Sequence, residues 1–207
     1  MKTLSAQNTF GRAFNVVELL VVVGVLALLT IVIGSSVSGI GRVRQKSSRI
    51  ACVRNLKNIG MLHRLSATNP IVQVSEAWQG FAKLSAGAAG VNTARILICP
   101  ADKRKPASGW NTLNNQNISY FLGLDADETN PQSLLAGDRN ITNGTPTTNA
   151  VLTLDSTRPA GFTHELHNGQ GNVVLGDGSV QQLNSARLSL HLKGMTNKTT
   201  TRIVLPE

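Results

Sequence analysis

The feature that most constrains this 207-residue chain is one acidic residue near the start of a long apolar segment. Glu18 lies within residues 16–33, which contain no other charged side chain. A carboxylate in an apolar environment costs several kcal/mol, so such a residue is by default a functional one. The segment therefore predicts an apolar helix whose environment must neutralise Glu18.

The residues before this segment indicate that it would remain on the chain after processing. A secretory signal peptide has basic residues, then about 7–15 apolar residues, then a small residue at the cleavage site. In this chain the small residue Ala13 precedes the apolar run, and Lys2 and Arg12 precede Ala13. Cleavage between Ala13 and Phe14 would leave the apolar helix in place, with Glu18 as its fifth residue.

These residues resemble the N-terminal motif of the type IV prepilin and pseudopilin family. The departures are Ala13, where Gly is more usual, and Asn15-Val16, where Thr-Leu is more usual. The resemblance implies a leader at residues 1–13, with cleavage before Phe14 and N-methylation of Phe14 by prepilin peptidase. It also implies that Glu18 is recognised in processing and assembly. The expected role of Glu18 is to pair with the mature amino group of another subunit.

A second motif lies near the other end of the chain. His167 is followed, after nine residues, by Asp177-Gly178. This spacing resembles the H-X9-DG tail motif of prepilin-like proteins, and residues 172–174 and 133–140 look like the same family. The resemblance implies no known reaction. From the residues alone, Asp177-Gly178 predicts a type I′ hairpin, in which both central residues have positive φ, and His167 is interpreted as fixing the loop before the strand.

The predicted fold class is α+β and pilin-like. One helix is predicted over residues 14–68, about 80 Å long at 1.5 Å per residue. Within it, about residues 16–36 are predicted to cross a membrane, and Asn69-Pro70 to end the helix. Residues 69–207 are predicted to form an extracytoplasmic domain with a short helix at 75–84 and a mainly antiparallel sheet. Its predicted strands lie at residues 95–99, 118–122, 133–136, 151–154, 172–175, 180–183 and 202–205.

Two cysteines leave two alternatives open. Similar proteins often carry one Cys in the helix, as Cys52, and another in a Leu-x-Cys-Pro segment, as Cys99. The resemblance thus allows a disulfide between them, which an oxidising compartment would favour. The other alternative is two buried thiols, because free Cys is among the most buried residue types.

No enzyme is predicted, and no cofactor is required. His164 and His167 are spaced i, i+3 among Pro and Gly residues, whereas the zinc-protease motif needs i, i+4 on a helix. The chain has no Gly-x-Ser-x-Gly nucleophile elbow.

Calcium is a weak candidate ligand of one loop. Asp125, Asp127 and Glu128 provide the oxygen ligands that calcium prefers, and calcium-binding loops in major pseudopilins support this by analogy only. Solvated carboxylates and Asx turns are the favoured interpretation.

Basic charge is concentrated after the apolar segment. The chain has a net charge of +9, and no acidic residue lies between Glu18 and Glu76. Seven basic residues fall in that interval, which suits anionic headgroups; they are Arg42, Arg44, Lys46, Arg49, Arg54, Lys57 and Arg64. These residues could also neutralise phosphates. Nucleic acid is nevertheless disfavoured as a partner because no aromatic residues are interleaved with them.

Together these features predict a structural subunit of a type IV pilus-like or type II secretion-like filament. It would lie in the inner membrane with a single pass and an extracytoplasmic domain. Its predicted partners are prepilin peptidase, other pilin-like subunits and the assembly machinery. The alternative is a membrane-tethered module that binds a ligand, such as calcium or DNA, and does not polymerise.

Overall fold

The computed structural model describes residues 15–66, 74–86, 94–147, 149–195 and 200–207. The predicted leader, with Ala13, and the predicted methylation site Phe14 lie outside the described residues. The chain divides into two compact units, Met1–Arg44 and Gln45–Glu207. The second unit therefore begins within the predicted long helix and not after it.

A single long helix, α1, extends over Val16–Leu65 and has 50 residues. Glu18 lies in its first turn, where a carboxylate offsets the partial positive charge of the helix N-terminus. In the first unit, every described side chain from residue 15 to residue 32 is exposed.

The membrane prediction does not agree with this helix. In the part of the chain that the structure describes, no helix has both the length and the apolar character needed to cross a bilayer. The predicted membrane-spanning segment at 16–36 and the single-pass inner-membrane location are therefore wrong. The prediction that residues 69–207 are the periplasmic domain of a membrane-bound pilus or secretion prepilin is wrong for the same reason.

The second unit contains the rest of α1, two further helices and eight strands among its described residues. The helices are α2 (Ala77–Ala86) and α3 (Ser185–Gly194), and short 3-10 helices lie at Ala94–Leu97, Trp110–Thr112 and Asn115–Asn117. The strands are β1 (Tyr120–Gly123), β2 (Leu134–Asp138), β3 (Ile141–Thr142), β4 (Val151–Asp155), β5 (Gly161–Phe162), β6 (Gln170–Leu175), β7 (Val180–Asn184) and β8 (Thr200–Val204).

Six of these strands form one sheet with the order β4-β8-β1-β2-β6-β7, and every neighbouring pair is antiparallel. Strands β3 and β5 form a separate two-stranded ribbon. The predicted α+β class with a mainly antiparallel sheet is confirmed at this level.

The sheet separates two hydrophobic cores because alternate side chains of a strand face opposite ways. In β1, Tyr120 and Leu122 belong to the core that includes Leu56 and Ile59 of α1 and Phe81 of α2. Phe121, between them, belongs to the core that includes Leu188 and Leu192 of α3. The C-terminal part of α1 is therefore buried against one face of the sheet.

Three local predictions differ from the structure. Residues 95–99 are not a strand: they overlap a 3-10 helix at Ala94–Leu97, and Pro100, which has no N–H, follows them. Helix α3 was not predicted; the side chain of Asn184 caps it by accepting a hydrogen bond from the Arg187 N–H at 2.9 Å. The predicted type I′ turn is also wrong. Such a turn needs a positive φ at both Asp177 and Gly178, and only Gly178 has one, at +77°. Residues 176–179 connect β6 to β7, and Gly178 lies in the left-handed conformation.

Candidate functional site

Four chemically distinctive side chains meet in the second unit, beside α1. Cys52, Cys99, Asp138 and His167 have their sulfur, carboxylate oxygen and ring nitrogen atoms within 4.8 Å of one another. Both cysteines and Asp138 are 0% exposed, and the side chain of His167 is 1% exposed. We call this group the disulfide cluster.

The two cysteines are joined by a disulfide in the structure. Cys52 lies in α1 and Cys99 follows the 3-10 helix at Ala94–Leu97, with 5.2 Å between the Cα atoms. Of the two alternatives that the sequence left open, the structure has the bridged one. The bridge connects residues 47 apart and so holds α1 to the domain covalently.

Asp138 is positioned by β6. Its Oδ2 atom accepts hydrogen bonds from the backbone N–H of Asn172 at 2.7 Å and from the Asn172 side-chain amide at 2.8 Å. Its Oδ1 atom is buried and has no hydrogen-bond partner among the described residues. Burial raises the pKa of Asp138 to about 7, although the Asn172 hydrogen bonds and the charge of Arg49 oppose this rise.

His167 contacts both the disulfide and Asp138 through one ring nitrogen. Its Nε2 atom lies 3.3 Å from Sγ of Cys99 and 3.5 Å from Oδ2 of Asp138. Its backbone has a φ of +48°, in the left-handed region. Burial, with a contribution from the charge of Arg49, lowers the pKa of His167 to about 4, so the ring is neutral near pH 7.

Arg49 supplies the positive charge next to this cluster. Its guanidinium donates a hydrogen bond to the side-chain oxygen of Gln170, at the start of β6. Its charge lowers the pKa of both Asp138 and His167. Arg49 lies in α1, so this contact is a second, noncovalent link between α1 and the loop–strand segment that carries His167.

The two residues after Asp138 hold the loop that carries His167. The side-chain amide of Asn140 donates to the backbone oxygens of Thr163 at 2.7 Å, Leu166 at 3.0 Å and Gln170 at 3.1 Å. Arg139 forms ion pairs with Asp102 at 2.8 Å and with Glu165 at 2.7 Å. Residues 138–140 therefore form one structural unit that fixes His167 beside the disulfide.

The other end of the H-X9-DG motif also contacts α1. The carboxylate of Asp177 accepts a hydrogen bond from the Ser179 N–H at 2.8 Å, and its backbone oxygen accepts one from Arg64. A Cβ atom on Gly178 would lie 3.1 Å from the Arg64 guanidinium carbon. A Cβ atom on Gly60 would lie 3.6 Å from the Gly178 Cα. His167 lies before β6 and Asp177-Gly178 lie after it, and each end of the motif lies beside α1. This agrees with a structural interpretation of His167, Asp177 and Gly178.

The calcium candidates do not share one site in the structure. Asp125 accepts hydrogen bonds from the Arg202 backbone N–H at 2.7 Å and from its guanidinium at 2.8 Å. Asp127 forms an Asx turn with the Thr129 N–H at 2.8 Å. Glu128 lies 3.5 Å from the ring of His63. Each carboxylate faces a different protein partner, and among the described residues the ligand types for a metal converge in the disulfide cluster instead.

Sequence reasoning had named three members of this cluster but not its arrangement. Cys52, Cys99 and His167 were candidates for separate reasons, and nothing in their spacing predicted that they would meet. Arg49 had been considered only as one of the basic residues after the apolar segment. Asp138 had been considered only with Asp155 and Asp177, as carboxylates that each end an apolar run, and not with the cysteines or His167. The available signal for Asp138 was its place in residues 133–140, which had been associated with the same family as the His167 motif.

Comparison with protein-family models, with curated proteins and with solved structures finds no match to this chain. The resemblance to prepilin-like proteins, which rests on short motifs, therefore stays a prediction.

Proposed function

We propose that this chain is a structural subunit of a filament-like assembly, in the manner of the pilin-like proteins that its motifs resemble. The observation that carries the proposal is the exposed apolar surface of α1. Between residues 16 and 32, thirteen Val, Leu and Ile side chains are 45–74% exposed. Such a continuous apolar surface is typical of a binding site and rare on monomeric proteins. Its proposed occupant is the same segment of other copies.

The size of this surface favours several neighbours over one. Burying a Val or Leu side chain stabilises by about 1.5–3 kcal/mol, and association costs about 4–15 kcal/mol in lost freedom of motion. A contact that buries only two or three side chains would therefore be marginal. The surface surrounds the helix, so many of its side chains are covered only when several helices pack around it. A filament or bundle provides this arrangement, whereas a dimer does not.

Glu18 would then determine which copies fit together. It is exposed and lies in the first turn of α1, within the apolar surface, so assembly would bury its charge. Removing one partner of a buried ion pair typically costs about 3–5 kcal/mol. The proposed partner is the amino group of Phe14 in a neighbouring copy, created when prepilin peptidase cuts after Ala13. This proposal makes the axial register of the helices depend on one charge pair.

The test uses the chain that begins at Phe14, diluted from detergent and followed by sedimentation and electron microscopy. Assembled particles are expected for the wild type, and Leu20→Gln should reduce them strongly. Leu190→Gln is the matched control, because Leu20 and Leu190 are both 71% exposed but Leu190 lies in α3. A chain that stays monomeric, or equal loss in both variants, would contradict the proposal and favour the alternative of a module that does not polymerise.

The role of Glu18 is tested separately. Glu18→Gln removes the charge but keeps the size of the side chain, and it should reduce incorporation into wild-type assemblies. Incorporation of the Gln variant at the wild-type level would contradict the pairing while leaving the apolar interface untouched.

A further inference from the structure

The disulfide cluster contains the side chains that zinc binds in structural sites. Two cysteines, one histidine and one carboxylate belong to the usual ligands of Zn²⁺, which takes four of them in a tetrahedron. Here all four are buried and their ligand atoms lie within 4.8 Å of one another. Sulfur and imidazole ligands suit zinc and not calcium or magnesium.

The distances around His167 already suit a tetrahedral site. Typical bond lengths to zinc place tetrahedral nitrogen and sulfur ligands about 3.5 Å apart, and nitrogen and oxygen ligands about 3.4 Å apart. In the structure, Nε2 of His167 lies 3.3 Å from the Cys99 sulfur and 3.5 Å from Oδ2 of Asp138. The change still needed is separation of the two sulfur atoms to about 3.8 Å. The Cα separation of 5.2 Å allows this through side-chain rotation.

Asp138 provides an independent indication that this cluster binds a cation. Its Oδ1 atom is buried without a hydrogen-bond partner among the described residues, which is unfavourable for a carboxylate oxygen. Asn172 meanwhile holds Oδ2 with two hydrogen bonds. Partners that orient a metal ligand in this way are typical of metal sites.

We propose that the reduced form of this protein binds one zinc-type divalent cation through Cys52, Cys99, His167 and Asp138. The disulfide and the metal would then be alternative occupants of the same site. In the reductive step an external dithiol transfers two electrons and two protons to the Cys52–Cys99 disulfide. The two cysteines become thiols, and the reducing dithiol becomes a disulfide. Metal binding then releases the two thiol protons. Two thiolates, one carboxylate and Zn²⁺ leave a charge of −1, which Arg49 balances.

The test is titration of the full chain with Co²⁺, a spectroscopic substitute for zinc, before and after reduction by a phosphine. We expect the reduced protein to show tetrahedral cobalt absorption and a thiolate-to-cobalt band at one equivalent, both removed by added Zn²⁺. The oxidised protein should show neither. His167→Ala should abolish these bands, and His164→Ala is the matched control because His164 is exposed. Asn172→Leu should weaken binding by about 10–100-fold.

The folding of the reduced protein is measured alongside the cobalt titration. If the reduced protein unfolds, as measured by circular dichroism, added Zn²⁺ should restore its fold. Failure to restore it would overturn the proposal. The proposal would also be overturned if a folded, reduced protein bound no cobalt, or if the same bands persisted in His167→Ala.

Discussion

The two parts of α1 carry similar apolar residues but differ in what covers them. Leu56, Ile59 and Leu62 are at most 1% exposed, whereas Leu20 is 71% exposed. The C-terminal part is covered by its own domain and is linked to it by the disulfide and by Arg49. The N-terminal part has no comparable cover among the described residues. The same helix therefore supplies part of a domain core in its C-terminal part and an exposed apolar surface in its N-terminal part.

Under the proposed function, this difference implies that stability and assembly depend on separate sets of residues. Changes in the C-terminal part of α1 should lower the free energy of unfolding, and changes in the N-terminal part should alter assembly alone. Trp78 and Trp110 both lie in the second unit, so tryptophan fluorescence reports the unfolding of that unit in the full chain.

The largest expected effect on stability comes from removing the disulfide. The double variant Cys52→Ala/Cys99→Ala should lower the free energy of unfolding by about 4 kcal/mol, because a bridge of this span restricts the unfolded chain strongly. Urea denaturation followed by tryptophan fluorescence measures this loss. A change below about 1 kcal/mol would show that α1 is held to the domain chiefly by packing.

A smaller loss should follow from a cavity in the core. Leu56→Ala should cost about 3 kcal/mol, since Leu56 is 0% exposed and its removal leaves unfilled space. Leu20→Ala is the matched variant in the exposed part of α1 and should leave the unfolding transition of the domain unchanged. Equal losses for the two variants would remove the distinction between the two parts of the helix.

The loop that carries His167 should respond to Asn140. Asn140→Ala removes the donor to three backbone oxygens in a residue only 2% exposed, and should cost about 2 kcal/mol. Hydrogen exchange should show faster opening of residues 163–170 in this variant, with the exchange of β7 unchanged. Unaltered exchange in that loop would contradict the positioning role of Asn140.

The smallest expected effect is in the pH dependence of the oxidised, metal-free protein. The raised pKa of Asp138, from 3.8 to about 7, contributes stability that is lost as the pH rises through about 7. The lowered pKa of His167, from 6.5 to about 4, contributes stability that is lost as the pH falls through about 4. Between about pH 4 and pH 6.5, Asp138 makes the free energy of unfolding fall with rising pH and His167 makes it rise. The wild-type melting temperature should therefore change little in this range.

A variant of either residue should show the pH dependence of stability that the other residue causes. Asp138→Asn should become less stable as the pH falls from 6.5 to 4, and His167→Gln should become less stable as the pH rises from 4 to 7. Arg49 and Asp102 also carry charge near this pair, and neither residue is changed in these variants. Identical pH profiles for the wild type and both variants would rule out the opposed titrations.

Sequence reasoning succeeded where local patterns determine the outcome. The helix predicted at 14–68 is α1 at Val16–Leu65, and most predicted strands overlap observed ones, because apolar runs between turn residues signal strands. It failed where tertiary contacts decide. Helix α3 has only two buried residues, Leu188 and Leu192, and so has little apolar pattern to detect.

The disulfide cluster was beyond local reasoning for the same reason. Cys52 lies in a helix, Cys99 and His167 in loops, and Asp138 at the end of β2. Their meeting depends on the order of strands in the sheet, which local sequence patterns do not indicate. The membrane prediction failed differently: it judged the apolar run by its composition, whereas the described segment does not meet the length and apolar character of a spanning helix.

The most direct test of the central claim is radical footprinting of the chain beginning at Phe14, read by mass spectrometry across a range of protein concentrations. If residues 16–32 form the interface between copies, labelling of Leu20 should fall as concentration rises, while labelling of Met61 and Leu190, which are 54% and 71% exposed, stays constant. Labelling of Leu20 that is independent of concentration, in samples where particles form, would contradict the account.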